Sequence, residues 1–116
     1  MSEFELLSMR PNLPVADLDR SVAFYRDVLG FELGARMDDI GFALMKGGGA
    51  ELALGARTSP EPGGAYLYVT GVETLLVRCE AAGATIVAPL TQQPWGLRDF
   101  VVEDPDGHRI AIGQRV

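Results

Sequence analysis

Apolar residues recur at helical spacing in two segments of the chain. Leu18, Val22, Tyr25 and Leu29 follow Asp17 at i, i+4, i+7 and i+11, with Asp19 in the first turn and Gly30 as a stop, which predicts a helix over 17–30. Val72, Leu75, Leu76, Cys79 and Ala82 share a second helical face, opened by Thr70-x-x-Glu73 as a reciprocal capping pair and closed by Gly83. The remaining apolar stretches are short and partly alternating, as strands are: 6–15, 31–36, 40–46 and 51–54 in the first half, and 65–69, 84–87, 97–103 and 108–113 in the second. Asp38-Asp39 and Gly47-Gly48-Gly49 read as turns, and Asp104-Pro105-Asp106-Gly107 as a tight reversal. Pro11 and Pro14 lack amide donors and assign the first strand to a sheet edge.

The two halves repeat. The helix openings Asp17 and Gly71 lie 54 positions apart and the stops Gly30 and Gly83 lie 53 apart, so an internal duplication is expected. Each helix follows one strand and precedes three, giving an α+β chain of two tandem βαβββ modules, 1–56 and 65–116, joined by the Pro- and Gly-rich linker 57–64. A single helix covers one face of each curved mixed sheet. Pairing the uncovered faces, within the chain or across a dimer, forms a cup with a central cavity.

Composition narrows the chemistry. A chain of 116 residues with 47% hydrophobic content is one domain able to bury a core. A net charge of -6 repels phosphate backbones and anionic lipid, so neither nucleic acid nor membrane is an expected partner. No stretch has the length of a membrane span and the first residues lack a signal-peptide pattern, which makes cytoplasmic residence the expectation. Single Cys79 and single His108 exclude internal disulfides and sites needing two imidazoles, and Lys46 is the one lysine. Cys79 reads as a small apolar core residue, and His108, just after a turn, as an exposed side chain without a general-base role. There is no Gly-x-Ser-x-Gly elbow, and the glycine triplet lacks the Lys-Ser/Thr of a phosphate loop.

The run Pro14-Val15-Ala16-Asp17-Leu18-Asp19-Arg20-Ser21-Val22-Ala23-Phe24-Tyr25, followed by Leu29-Gly30-Phe31 and, in the second half, Pro94-Trp95-Gly96, Phe100 and Asp104-Pro105-Asp106-Gly107-His108, resembles the vicinal oxygen chelate superfamily of glyoxalases, extradiol dioxygenases and bleomycin resistance proteins. The tryptophan segment is most similar to the bleomycin-resistance branch. That resemblance implies a small acidic homodimer that sequesters a cationic or hydrophobic small molecule, such as an antibiotic, without chemistry on it. Enzymes of the superfamily hold one divalent metal through a His seven residues before the helix-opening Asp and a Glu on the fourth strand of each half. Carried onto this chain, those places are Arg10, Glu51, Gly64 and Ala111, of which only Glu51 has a ligating atom. The implication is no metal, no cofactor and no catalytic residue. The alternative is a metal-dependent lyase, isomerase or oxygenase of the glyoxalase and dioxygenase type.

Residues sharing strand parity with those four places, Asn12, Ala53, Tyr66 and Tyr68, are then expected to face the cavity, while Leu13, Val15, Leu52, Leu54, Leu67 and Val69 face the helices. A tight Asp104–Gly107 hairpin sets Phe100 across from Ala111, with Trp95 and Arg98 approaching along the preceding segment. The candidate ligand set is therefore Arg10, Asn12, Glu51, Tyr66, Tyr68, Trp95, Arg98 and Phe100. Bland readings stand beside it: Tyr66, Tyr68 and Phe100 as core, Trp95 as a structural plug, and Arg10 with Glu51 as an ion pair in the metal's place.

Overall fold

The computed structural model describes residues 3–116. Its elements run β1 (Asn12–Val15), α1 (Leu18–Ala23, prolonged by the π-type turn Phe24–Val28), β2 (Glu32–Met37), β3 (Phe42–Gly47), β4 (Ala50–Ala56), β5 (Gly64–Tyr68), α2 (Val72–Ala81), β6 (Thr85–Gln92), β7 (Leu97–Glu103) and β8 (Arg109–Arg115). They form two four-stranded sheets of the same design, β1-β4-β3-β2 and β5-β8-β7-β6, each with its first strand parallel to its fourth and the rest antiparallel. This is the predicted pair of βαβββ modules.

Local chemistry explains most boundaries. The Asp17 side chain accepts the Arg20 amide at 3.1 Å and opens α1, while Gly30 ends the helical segment with a φ of 85°. Strand β1 is an edge strand, as Pro14 requires, but it starts only at Asn12 and residues 6–11 form no strand. The Thr70–Glu73 capping pair does not form. Gly71 occupies the cap position at φ 72°, the Val72 amide donates to the Gln114 side-chain oxygen at 3.0 Å, and Glu73 instead meets Arg98. The reversal after β7 is also one residue longer than a tight hairpin. Asp104 Oδ1 accepts the amides of both Asp106 and His108 at 2.9 Å, so the connection spans 104–108 and pairs Glu103 with Arg109.

Leu13, Val15, Met45 and Leu54 from the first sheet, Phe100, Val102, Ile110 and Ile112 from the second, and Leu18, Val22, Val72 and Cys79 from the helices belong to one contiguous buried core. Both sheets thus turn their helix-facing sides into a shared interior, and their other faces look away from it.

A buried polar junction fixes the two modules to each other. The Tyr25 hydroxyl donates to Asp104 Oδ2 at 2.6 Å, and Asp106 accepts the Ala16 amide at 2.9 Å and the Ser21 hydroxyl at 3.1 Å. His108 is fully buried, contrary to the exposed position expected from its turn. Its Nδ1 accepts the Gly63 amide at 2.7 Å, which places the ring proton on Nε2 for donation to the Pro14 carbonyl at 2.5 Å. Among the described residues, no buried side-chain nitrogen or oxygen is left without a partner. Burial, and then the adjacent Asp104 carboxylate, pushes the Tyr25 phenol well above the usual tyrosine range.

Removing the hydroxyl in Tyr25→Phe leaves a buried carboxylate oxygen short of a donor and is expected to cost about 1–3 kcal/mol in urea unfolding. Because the folded phenol resists ionisation, the wild-type advantage is complete below roughly pH 10, where an unfolded tyrosine titrates, and declines as pH rises beyond it. Equal unfolding midpoints for the two proteins at pH 8 would contradict this role.

Candidate functional site

The uncovered face of the first sheet carries Asn12, Leu44, Phe42 and Ala53, with Arg10 and Glu51 at one end. Arg10 and Glu51 form an ion pair at 3.5 Å, both about 40% exposed, and the Arg10 guanidinium also lies 5.7 Å from the Phe42 ring centre. At this exposure the pair contributes little stability. It does occupy the position that the resemblance gives to a metal.

On the second sheet, Tyr66 and Tyr68 project from β5 onto the uncovered face, their ring centres 4.8 Å apart, and Arg115 stacks 5.0 Å from the Tyr68 ring. Tyr66 reaches across β8 to β7, where its hydroxyl donates to Asp99 Oδ2 at 2.8 Å, while the Gln93 amide donates to the other oxygen at 3.0 Å. Gly113 makes that crossing possible. A Cβ there would overlap the Tyr66 hydroxyl, lie 2.8 Å from the ring carbon bearing it, and approach the Asp99 Cβ to 3.1 Å. Partial burial, followed by the bond to Asp99, pushes the Tyr66 phenol up to about 12.

The one-residue extension of the 104–108 connection changes two assignments. Phe100 stands opposite Ile112, not Ala111, and is fully buried in the core, so it does not line the open face. Arg98 shares its direction and pairs with Glu73 of α2 on the helix side of the sheet. The residues of β7 that do face outward are Asp99 and Val101, opposite Gly113 and Ala111. A tight 104–107 hairpin would turn Asp99 toward the helix, so only the longer connection bound by Asp104 brings it to the open face. Trp95, at the β6–β7 turn, is 68% exposed and stands free of the core.

A cleft of about 820 Å³ opens where β5 meets the end of the first helix and the Gly47–Gly49 turn. Leu29, Phe31, Leu52, Leu67 and Leu75 line it, and of the eight predicted ligand residues Glu51, Tyr66 and Tyr68 reach it.

A curved βαβββ pair with aromatic side chains and an ion pair on its uncovered faces defines a chelate-type scaffold, and the family model for the Glyoxalase/Bleomycin resistance protein/Dioxygenase superfamily matches residues 9–112. The chain belongs to that superfamily. It is 31% identical to a bleomycin resistance protein of Geobacillus stearothermophilus and equally to one of Staphylococcus aureus, over 96% of this chain and 98% of theirs. Among solved structures it is similar to TioX from Micromonospora sp. ML1, with 30% identity, a TM-score of 0.84, and coverage of 94% of this chain and 99% of that one. It is also similar to a bleomycin resistance determinant encoded on transposon Tn5, with 26% identity, a TM-score of 0.81, and coverage of 95% and 98%.

The superfamily's divalent metal does not fit this donor set. Arg10 offers no lone pair and already engages Glu51, Ala111 has no donor atom, and a side chain at Gly64 would meet the Arg109 carbonyl at 2.7 Å. Among the described residues no three His, Cys, Asp or Glu side chains converge.

Gly113→Ala is expected to evict the Tyr66 ring from Asp99 while leaving the chain folded. Tyrosine carbon chemical shifts followed against pH then return the Tyr66 titration from about 12 toward the ordinary value near 10. An unchanged titration would show that the ring is held by other contacts.

Proposed function

We propose that this protein is a metal-free receptor that sequesters a bleomycin-type small molecule, hydrophobic with a cationic part, and leaves it chemically unchanged. The observation carrying this reading is the content of the four chelating places: an ion pair, a glycine and an alanine, beside the aromatic pair Tyr66 and Tyr68. Aromatic faces bind planar apolar groups by stacking and burial, and a net charge of -6 attracts cations. The 31% identity to bleomycin resistance proteins supports the same ligand class.

The receptor works as a homodimer. The uncovered faces of one chain look away from a shared core, so enclosing a ligand between two sheets takes a second copy. Phe4, Leu6, Leu7 and Met9 are each more than 70% exposed on an extended arm, an apolar run that one copy alone leaves in water. The radius of gyration of 15.0 Å also exceeds the roughly 13 Å of a compact chain of this length. Arg10, Asn12 and Glu51 border the pocket from one sheet, Tyr66 and Tyr68 form its aromatic wall, and exposed Trp95 closes over the ligand at the mouth. The reducing cytoplasm suits the unpaired Cys79.

Calorimetric titration with bleomycin is expected to show one ligand per chain, quenching of Trp95 fluorescence, and a loss of about 1 kcal/mol or more in Trp95→Ala. Absence of heat and of fluorescence change at millimolar ligand would reject the reading.

A further inference from the structure

We infer that Asp99 is the specificity-determining anion of the second sheet's open face, selecting planar aromatic cations that stack on Tyr66 and Tyr68 over neutral molecules of the same shape. The inference rests on the receptor reading and names the group within it that recognises charge.

Asp99 is half-buried on the face that carries the aromatic pair, and among the described residues no Arg, Lys or His forms an ion pair with it. A carboxylate presents about four acceptor positions. Tyr66 and Gln93 supply one donor each, both neutral, so the anion is oriented, and Arg115, a cation on the same face, is stacked on Tyr68 and forms no ion pair with the carboxylate. The arrangement is also fixed in advance. Tyr66 lies pinned over the bare backbone of Gly113, and its hydroxyl is committed to Asp99, so the ring offers its face and not its oxygen. Arg115, 5.0 Å from the Tyr68 ring centre, is an example within the chain of the cation–π contact that one of the two rings supports. A ligand whose delocalised positive charge lies within its ring system meets both demands together, stacking on the rings and placing the charge beside Asp99.

The test uses the full chain and two fluorescent probes of nearly equal shape, N-methylacridinium as the cation and acridone as the neutral counterpart. Wild type is expected to bind the cation at least about tenfold more tightly. Asp99→Asn, which keeps an acceptor for the Tyr66 hydroxyl, is expected to bring the two affinities within about twofold. Glu73→Gln removes one negative charge on the opposite side of the same sheet and is expected to leave the ratio unchanged. Equal affinities in wild type, a ratio unaffected by Asp99→Asn, or a ratio lowered as much by Glu73→Gln would each overturn the inference. Bleomycin binding that survives such a result leaves the receptor reading intact. A cation preference lost in Asp99→Asn, together with no binding of bleomycin, supports the Asp99 subsite and rejects the proposed ligand.

Discussion

The geometry of this protein depends on one buried polar junction. Asp104, Asp106 and His108, all from the connection between β7 and β8, reach into the other module and bind Tyr25, Ser21, the Ala16 amide and the Pro14 carbonyl. Burying two carboxylates and an imidazole is unfavourable unless each finds its partners, and only one relative placement of the modules supplies them. The apolar core would tolerate small slides between modules, whereas short directional bonds do not. The junction therefore sets which way the two open faces point.

On those faces the superfamily's architecture persists, while the four places where the resemblance puts metal ligands carry a donor set that does not fit a divalent metal. A divalent metal draws several anionic or imidazole donors to one point; here one carboxylate faces a guanidinium, and the corresponding places in the other module are bare backbone and a methyl group. The second face gains a different organisation, in which a glycine, a tyrosine and an aspartate on three neighbouring strands build a rigid aromatic floor with a charge beside it.

The modular fold was legible because its signals are local. Helical spacing behind Asp17, glycine stops at 30 and 83, and the Leu-Val alternation of β1, β4 and β5 each fix their element with neighbours in sequence. Parity on those three strands separates Asn12, Tyr66 and Tyr68 from the helix-facing residues, and Arg10 and Glu51 form the ion pair that their residue types suggest. The errors came from distant partners. Two amides bound by the Asp104 side chain lengthen the β7–β8 connection and reverse the facing of Arg98, Asp99 and Phe100. Gln114, 42 residues beyond the Val72 amide it accepts, takes the place of the Thr70 cap. His108 is buried because Gly63 and Pro14 satisfy both of its ring nitrogens. None of these partners is announced by sequence spacing.

In the proposed receptor, ligand is held on the open sheet faces. Mapping amide chemical shifts during titration with bleomycin tests it most directly. The account predicts changes concentrated at residues 66, 68, 99, 101, 111 and 113 with a second group at 10, 12 and 51. Changes confined to the inter-module cleft at residues 29–31 and 47–50, with the open faces silent, would contradict it.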